Sequence, residues 1–137
     1  MEQRRFRILW LNAVPSHAQA TFDLFPEGRF EVTYVRTTQD CIERLRSEDF
    51  DLVISEFEFM PTTYSKEETH SGLATGMPLY GDIRRIHPLI PVFFFTVARE
   101  TEWLRRYDDP DEHVWVFSAV KTHAKEFGEE VLSRLVG

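Results

Sequence analysis

Phe50-Asp51-Leu52-Val53-Ile54-Ser55-Glu56-Phe57-Glu58-Phe59-Met60-Pro61 decides how this chain reads. Leu52, Val53 and Ile54 form an unbroken apolar run, the pattern of a parallel strand covered on both faces. The strand predicted over residues 50–55 ends at a carboxylate, Glu56, where the chain opens into a loop. In open parallel α/β sheets, ligands and chemistry gather at the carboxyl ends of strands. Glu56 therefore stands where a functional acid would stand.

Working outward, the chain alternates strand and helix signals. Residues 6–11 read as a first strand, broken by Asn12-Ala13-Val14-Pro15. Ser16 with Gln19 makes a capping-box pattern for a helix whose inner face is Ala18, Phe22 and Phe25. Pro26-Glu27-Gly28 ends that helix, and residues 30–35 form a second strand. Thr37 or Thr38 caps a second helix with Cys41, Ile42 and Leu45 inside. Gly76-Met77-Pro78 opens a third, with proline in its first turn and Met77, Tyr80 and Ile83 facing inward. Residues 92–96 are apolar on both faces, as an interior strand requires. A short helix over 99–108 and a strand over 113–120 follow. Thr122 is expected to cap the last helix, with Ala124, Phe127, Val131 and Leu135 inside. This alternation predicts a doubly wound α/β domain with a five-stranded parallel sheet and helices on both faces. The expected organisation is one domain over residues 1–137, with no linker and no output domain.

Composition narrows the function. The chain has 137 residues, 42% hydrophobic and 28% charged, which is enough to bury a core. Its net charge of -7 argues against binding a phosphate backbone directly. The lone Cys41 excludes an internal disulfide and a multi-cysteine zinc site, and is read as an inert core residue. No secretory signal and no run of about 18 apolar residues is present, so the expected location is cytoplasmic, off the membrane. His17, His87, His113 and His123 lack ligand spacing, and no metal or cofactor is expected. Ser16, Ser55 and Ser118 lack a nucleophile elbow, and no glycine-rich phosphate loop follows the first strand.

In its ordered landmarks the sequence resembles the receiver domain of bacterial two-component response regulators. Ile8-Leu9-Trp10-Leu11-Asn12-Ala13 is similar to the first strand and its acidic tip, and Asp51-Leu52-Val53-Ile54-Ser55-Glu56 to the strand carrying the phosphate acceptor. Met60-Pro61, Phe95-Thr96-Val97 and Val120-Lys121-Thr122 are similar to the motifs that follow. The resemblance implies a flavodoxin-like strand order of 2-1-3-4-5. It also implies that Thr96 and Lys121 are retained switch and phosphate-contact positions.

The departures from that pattern bear on mechanism. Asn12 and Ala13 take the places of the acidic pair that holds Mg²⁺, and Glu56 that of the nucleophilic aspartate. The proline of Met60-Pro61 is one residue late, Thr122 replaces a proline, and Ser118 takes the aromatic switch position beside Phe117. Mg²⁺ demands near-octahedral oxygen ligands, commonly including protein carboxylates. The extra methylene of glutamate displaces its oxygen by roughly 1 Å, which can cost about 10²-fold in a reaction that depends on alignment. Phosphoryl transfer depends on positioning and charge neutralisation. The chain is therefore expected not to be an enzyme and not to be phosphorylated at Glu56.

Its expected role is a phosphorylation-independent signalling or regulatory module acting through a protein partner. The alternatives are a phosphoryl-accepting regulator with an unorthodox site, or a small-ligand sensor using the vacated pocket. Glu56 either pairs with Lys121 while Thr96 donates to it, fixing one state, or is a solvated acid with Lys121 free.

The polar insertion, about residues 57–72, exceeds the usual βα loop of about 2–6 residues. It resembles one found in a subset of receivers and is read as a lid or docking loop over the site, or as a mobile excursion. Glu67 and His70 have a Glu-x-x-His spacing, but no partner carboxylates are expected. Arg99, Trp103, Arg105, Arg106, Tyr107 and Phe117 are the candidate partner surface. By the resemblance this surface comprises the fourth helix, fifth strand and fifth helix, and would serve a homodimer.

Overall fold

The computed structural model describes residues 4–59, 64–69, 72, 74–97 and 102–136, with side chains apart from those of Glu102 and Trp103. In chain order the elements are β1 (Phe6–Leu11), α1 (Pro15–Phe22), β2 (Phe30–Val35), α2 (Thr38–Ser47), β3 (Leu52–Ser55) and α3 (Gly76–Ile86). β4 (Val92–Thr96), α4 (Glu102–Arg106), a 3₁₀ turn (Pro110–Glu112), β5 (Val114–Ser118) and α5 (Ala124–Val136) follow. The strands pair in parallel in the order β2-β1-β3-β4-β5, the flavodoxin-like order.

The period-2 alternation of the strands divides the core between the two faces of the sheet. Leu9, Leu11, Val53, Phe57, Val92, Phe94 and Val114 pack beneath Cys41 and Leu45 of α2, Leu79 and Ile83 of α3, and Leu104 of α4. Ile8, Trp10, Leu52, Ile54, Phe93 and Trp115 pack beneath Ala18 of α1 and Phe127 and Val131 of α5. The register pairs Leu11 with Ser55 and Thr96 with Ser118, so the carboxyl ends of the inner strands lie side by side.

Two expected helix starts and one helix face differ in detail. Ser16 caps nothing: α1 begins at Pro15, which has no N–H to satisfy, and Asn12 Oδ1 accepts the Val14 N–H at 2.8 Å instead. α5 is capped by His123, whose Nδ1 accepts the Lys125 N–H at 3.1 Å; the Thr122 N–H is bound to the Ser118 carbonyl in the turn leaving β5. α3 faces the core through Gly76, Leu79 and Ile83, with Met77 and Tyr80 half-buried beside them. Phe57 rotates that face: a Cβ at Gly76 would lie 2.3 Å from Phe57 Cδ2. The start of α3 can lie against the Phe57 ring because it has no side chain there.

The outer edge of β5 is closed by the segment before it. Val114 exchanges both backbone hydrogen bonds with Asp109, and the Val116 N–H donates to Asp108 Oδ1 at 3.1 Å. The edge is thus poorly suited to pairing with another strand.

Candidate functional site

Glu56 follows the last residue of β3, and its N–H reaches the Leu11 carbonyl at 3.4 Å, which carries the β1–β3 ladder one step further. The side chain turns back on its own loop. Oε1 accepts the Phe57 N–H at 2.9 Å and the Glu58 N–H at 3.4 Å. It also accepts from the hydroxyl of Thr96, the last residue of β4, and the Val97 N–H donates to the same carboxyl group. Burial pushes the Glu56 pKa up from its ordinary value, against the opposing pull of these hydrogen bonds, of which the Thr96 bond is the largest. Glu56 is therefore a partly desolvated carboxyl group surrounded by neutral donors.

The ion pair weighed from the sequence is not made. Lys121 is exposed on the turn after β5, and among the described residues no ion pair joins it to Glu56. The donors from the loop and from Thr96 already fill much of the carboxyl's accepting capacity, and a lysine would have to shed water to compete. Ser118, opposite Thr96, accepts from the N–H groups of Val120 and Lys121 and so shapes that turn.

Asn12 and Ala13 sit at the neighbouring tip of β1. Asn12 Oδ1 is engaged by Val14, and the exposed Ala13 has no ligand atom on its side chain. Together with a glutamate facing inward onto hydroxyl and amide donors, these residues do not fit Mg²⁺, which needs several outward-facing oxygens. Among the described residues no group of three or more His, Cys, Asp and Glu is arranged to hold a metal, and no helix is long and apolar enough to cross a membrane. His70, half of the Glu-x-x-His pair, lies outside the described residues, as does Met60-Pro61. Cys41 is fully buried, and burial pushes its thiol up to about 12, which keeps it unreactive.

The described part of the insertion is folded against α3. Ser65 and Glu68 cap one another: the Ser65 N–H donates to Glu68 Oε1 at 3.1 Å and the Glu68 N–H to Ser65 Oγ at 3.0 Å. This Ser-x-x-Glu capping box was legible in the sequence, where the charged run around it read simply as polar. Thr69, Ala74 and Thr75 are buried, and Tyr64 donates to Asp82 Oδ2 of α3 at 2.5 Å. The reading of these residues as a mobile excursion gives way to an anchored turn. No described residue of 64–76 is hydrogen-bonded to the Glu56 carboxyl group.

The candidate partner surface divides. Arg105 and Arg106 are exposed on α4, whereas Arg99 and the Trp103 side chain lie outside what is described. Tyr107 is half-buried, its ring 5.7 Å from Phe57 and 5.3 Å from Tyr80, so it serves chiefly as packing. Phe117 is also half-buried and lies 5.3 Å from Phe127 of α5. Both aromatics pack against the core, Tyr107 on the α2–α3–α4 side of the sheet and Phe117 on the α1–α5 side.

With this geometry in place, solved structures supply the comparison. The receiver protein from Sinorhizobium medicae WSM419 matches with a TM-score of 0.71 at 16% identity, over 97% of this chain and 96% of that one. The signal receiver domain of an HD domain-containing protein from Pseudomonas fluorescens Pf-5 matches with a TM-score of 0.68 at 18% identity, over 97% and 93% of the two chains. RcsB from Salmonella enterica serovar Typhimurium, bound to promoter rprA in the presence of phosphomimetic BeF3-, gives 0.70 at 14% identity, over 97% and 100%. The fold is that of receiver domains. No protein-family model matches the sequence, and no curated protein matches it.

Proposed function

We propose that this chain is a receiver-like signalling module that works through a protein partner, without accepting a phosphoryl group and without catalysis of its own. One observation carries the reading: the carboxyl group at the end of β3 already holds the hydroxyl of Thr96 and the backbone N–H groups of the next loop. By the resemblance, Thr96 is the residue that would turn toward a phosphoryl group on the neighbouring strand. Here Glu56 supplies that acceptor permanently, so the domain is held in one state, the one phosphorylation favours in a working receiver. Asn12 and Ala13 support the same reading, because an unneutralised carboxylate is a poor acceptor for an incoming anion.

Incubation with Mg²⁺ and acetyl phosphate, followed by intact-mass measurement, is the direct test. No mass change is expected; a gain of one phosphoryl group localised to Glu56 would overturn the reading. The proposed contact surface is the α4-β5-α5 face, with Arg105 and Arg106 as its exposed cations and a second copy of the chain as one candidate partner. Sedimentation velocity of an Arg105→Glu, Arg106→Glu double variant tests the dimer. Self-association should weaken, and a variant that associates like the parent removes this face from the proposal.

A further inference from the structure

Phe57, Glu58 and Phe59 link the Glu56 site to the insertion, and they are held from both sides. Two of their amides are taken by the acid: the N–H groups of Phe57 and Glu58 point to Glu56. Two of their carbonyls are taken by the start of α3. The Gly76 N–H donates to the Phe57 carbonyl at 2.9 Å, and the Thr75 hydroxyl donates to that of Phe59. Whatever sets the position of residues 75 and 76 therefore also sets how the loop presents its amides to the carboxyl group.

That position is tied to the described turn of the insertion. The Ala74 N–H donates to the Thr69 carbonyl at 2.8 Å, which ties the capped turn to the residues entering α3. At the far end of the turn, Tyr64 crosses to the middle of α3 and donates to Asp82 Oδ2 at 2.5 Å, while the Arg85 guanidinium holds Oδ1. The Tyr64 ring packs against the core face that includes Cys41 and Leu79. Ordering these residues costs about 1–2 kcal/mol of backbone entropy each, so a polar excursion stays folded only where buried anchors offset that cost. Tyr64, Thr69, Ala74 and Thr75 are such anchors, and the Tyr64–Asp82 bond joins a half-buried phenol to a charged acceptor, one of the stronger hydrogen bonds.

We propose that Tyr64 is a positioning residue for Glu56, and that the turn over residues 64–69 is a strap which, through Asp82 and the start of α3, clamps the loop whose amides hold the carboxyl group. Release of the Tyr64–Asp82 latch frees the Phe59 and Phe57 carbonyls first and the Glu56 amides with them. This makes the latch the point at which a partner or a modification would loosen the site.

Amide hydrogen exchange on the full chain tests the strap and needs no partner, so its outcome is separate from that of the proposed function. In Tyr64→Phe the Phe57 and Glu58 amides should exchange about tenfold faster, the effect of losing one charge-assisted hydrogen bond locally. The Val53 and Ile54 amides, deep in β3, should keep their parent rates. Asp82→Asn should select the same two amides, and it decides the matter alone if Tyr64→Phe does not fold. Unchanged rates at Phe57 and Glu58, or a uniform rise that includes Val53 and Ile54, would overturn the proposal, the latter by reducing Tyr64 to a contributor to global stability.

Discussion

Asp51 and Glu56 flank the same strand, and the protein treats their charges in opposite ways. Asp51, at the amino end, pairs with the Arg4 guanidinium and accepts the Arg7 N–H at 2.8 Å in a partly wet setting. Glu56, at the carboxyl end, meets a hydroxyl and backbone amides, with no cation paired to it among the described residues and with burial working against its charge. The first arrangement ties two chain segments together at little cost, because water would solvate either partner. The second holds charge by oriented dipoles in a place where water is scarce, so each donor matters. The amino end relies on cations elsewhere too: Arg84 of α3 donates to the carbonyls of Ile90 and Glu112, both at 2.7 Å, and fastens the starts of β4 and β5.

The comparison can be broken most forcefully at its mechanical support. Gly76→Ala would place a methyl group inside the Phe57 ring position, and overpacking there should cost about 3 kcal/mol in urea unfolding. A cost below about 1 kcal/mol would mean that the loop after Glu56 yields freely and does not hold the carboxyl group in place.

Removal of one donor is the next test. Thr96→Val deletes the hydroxyl from a charged, partly buried acceptor and should cost about 2 kcal/mol, with Thr96→Ser restoring most of it. Equal losses in both variants would point to packing in place of the hydrogen bond.

The charge itself is read by pH. Because the folded protein raises the Glu56 pKa, it binds that proton more readily than the unfolded chain does. The stabilising contribution of protonated Glu56 is full below the ordinary glutamate pKa and is lost as pH rises through the folded value. Glu56→Gln should therefore be more stable than the parent at neutral pH, with the gap closing in thermal melts as the solution is acidified. A gap that widens on acidification would mean that the donors outweigh burial.

Asp51→Asn should be the mildest change, at most about 0.5 kcal/mol and smaller still in high salt. If it rivals Thr96→Val, the contrast between the two ends of β3 is lost.

Much of the architecture was legible because it follows from short-range patterns. The apolar runs at Leu52–Ser55 and Val92–Thr96 mark interior parallel strands, and the observed β1, β2 and β4 have the predicted bounds. Ends set by tertiary contact were less legible. Residues 119 and 120 read as strand, yet β5 stops at Ser118, whose hydroxyl gathers the next turn. Met77 and Tyr80 have the right spacing for an inner face, but the contact between Gly76 and Phe57 turns α3 away from them. At the candidate site, Glu56 and Thr96 could be singled out as positions, while their bond spans 40 residues and depends on how β3 and β4 align.

The residues themselves, through hydrophobic period, turn chemistry and the identities at positions 12, 13, 56, 96 and 121, determined that this is a doubly wound α/β chain with a lone acid at the end of its third strand. Only the tertiary structure decided what that acid touches. Lys121 had the charge to claim it, but Thr96 and the Phe57 and Glu58 amides were already in place, and neutral donors fixed by the backbone need shed no ion's hydration to reach a partly buried carboxyl group. The same holds for the described part of the insertion: its polar composition predicts solvent, and its fold against α3 rests on buried Thr69, Ala74 and Thr75 and on a phenol, Tyr64, meeting the Asp82 carboxylate across 18 residues of chain.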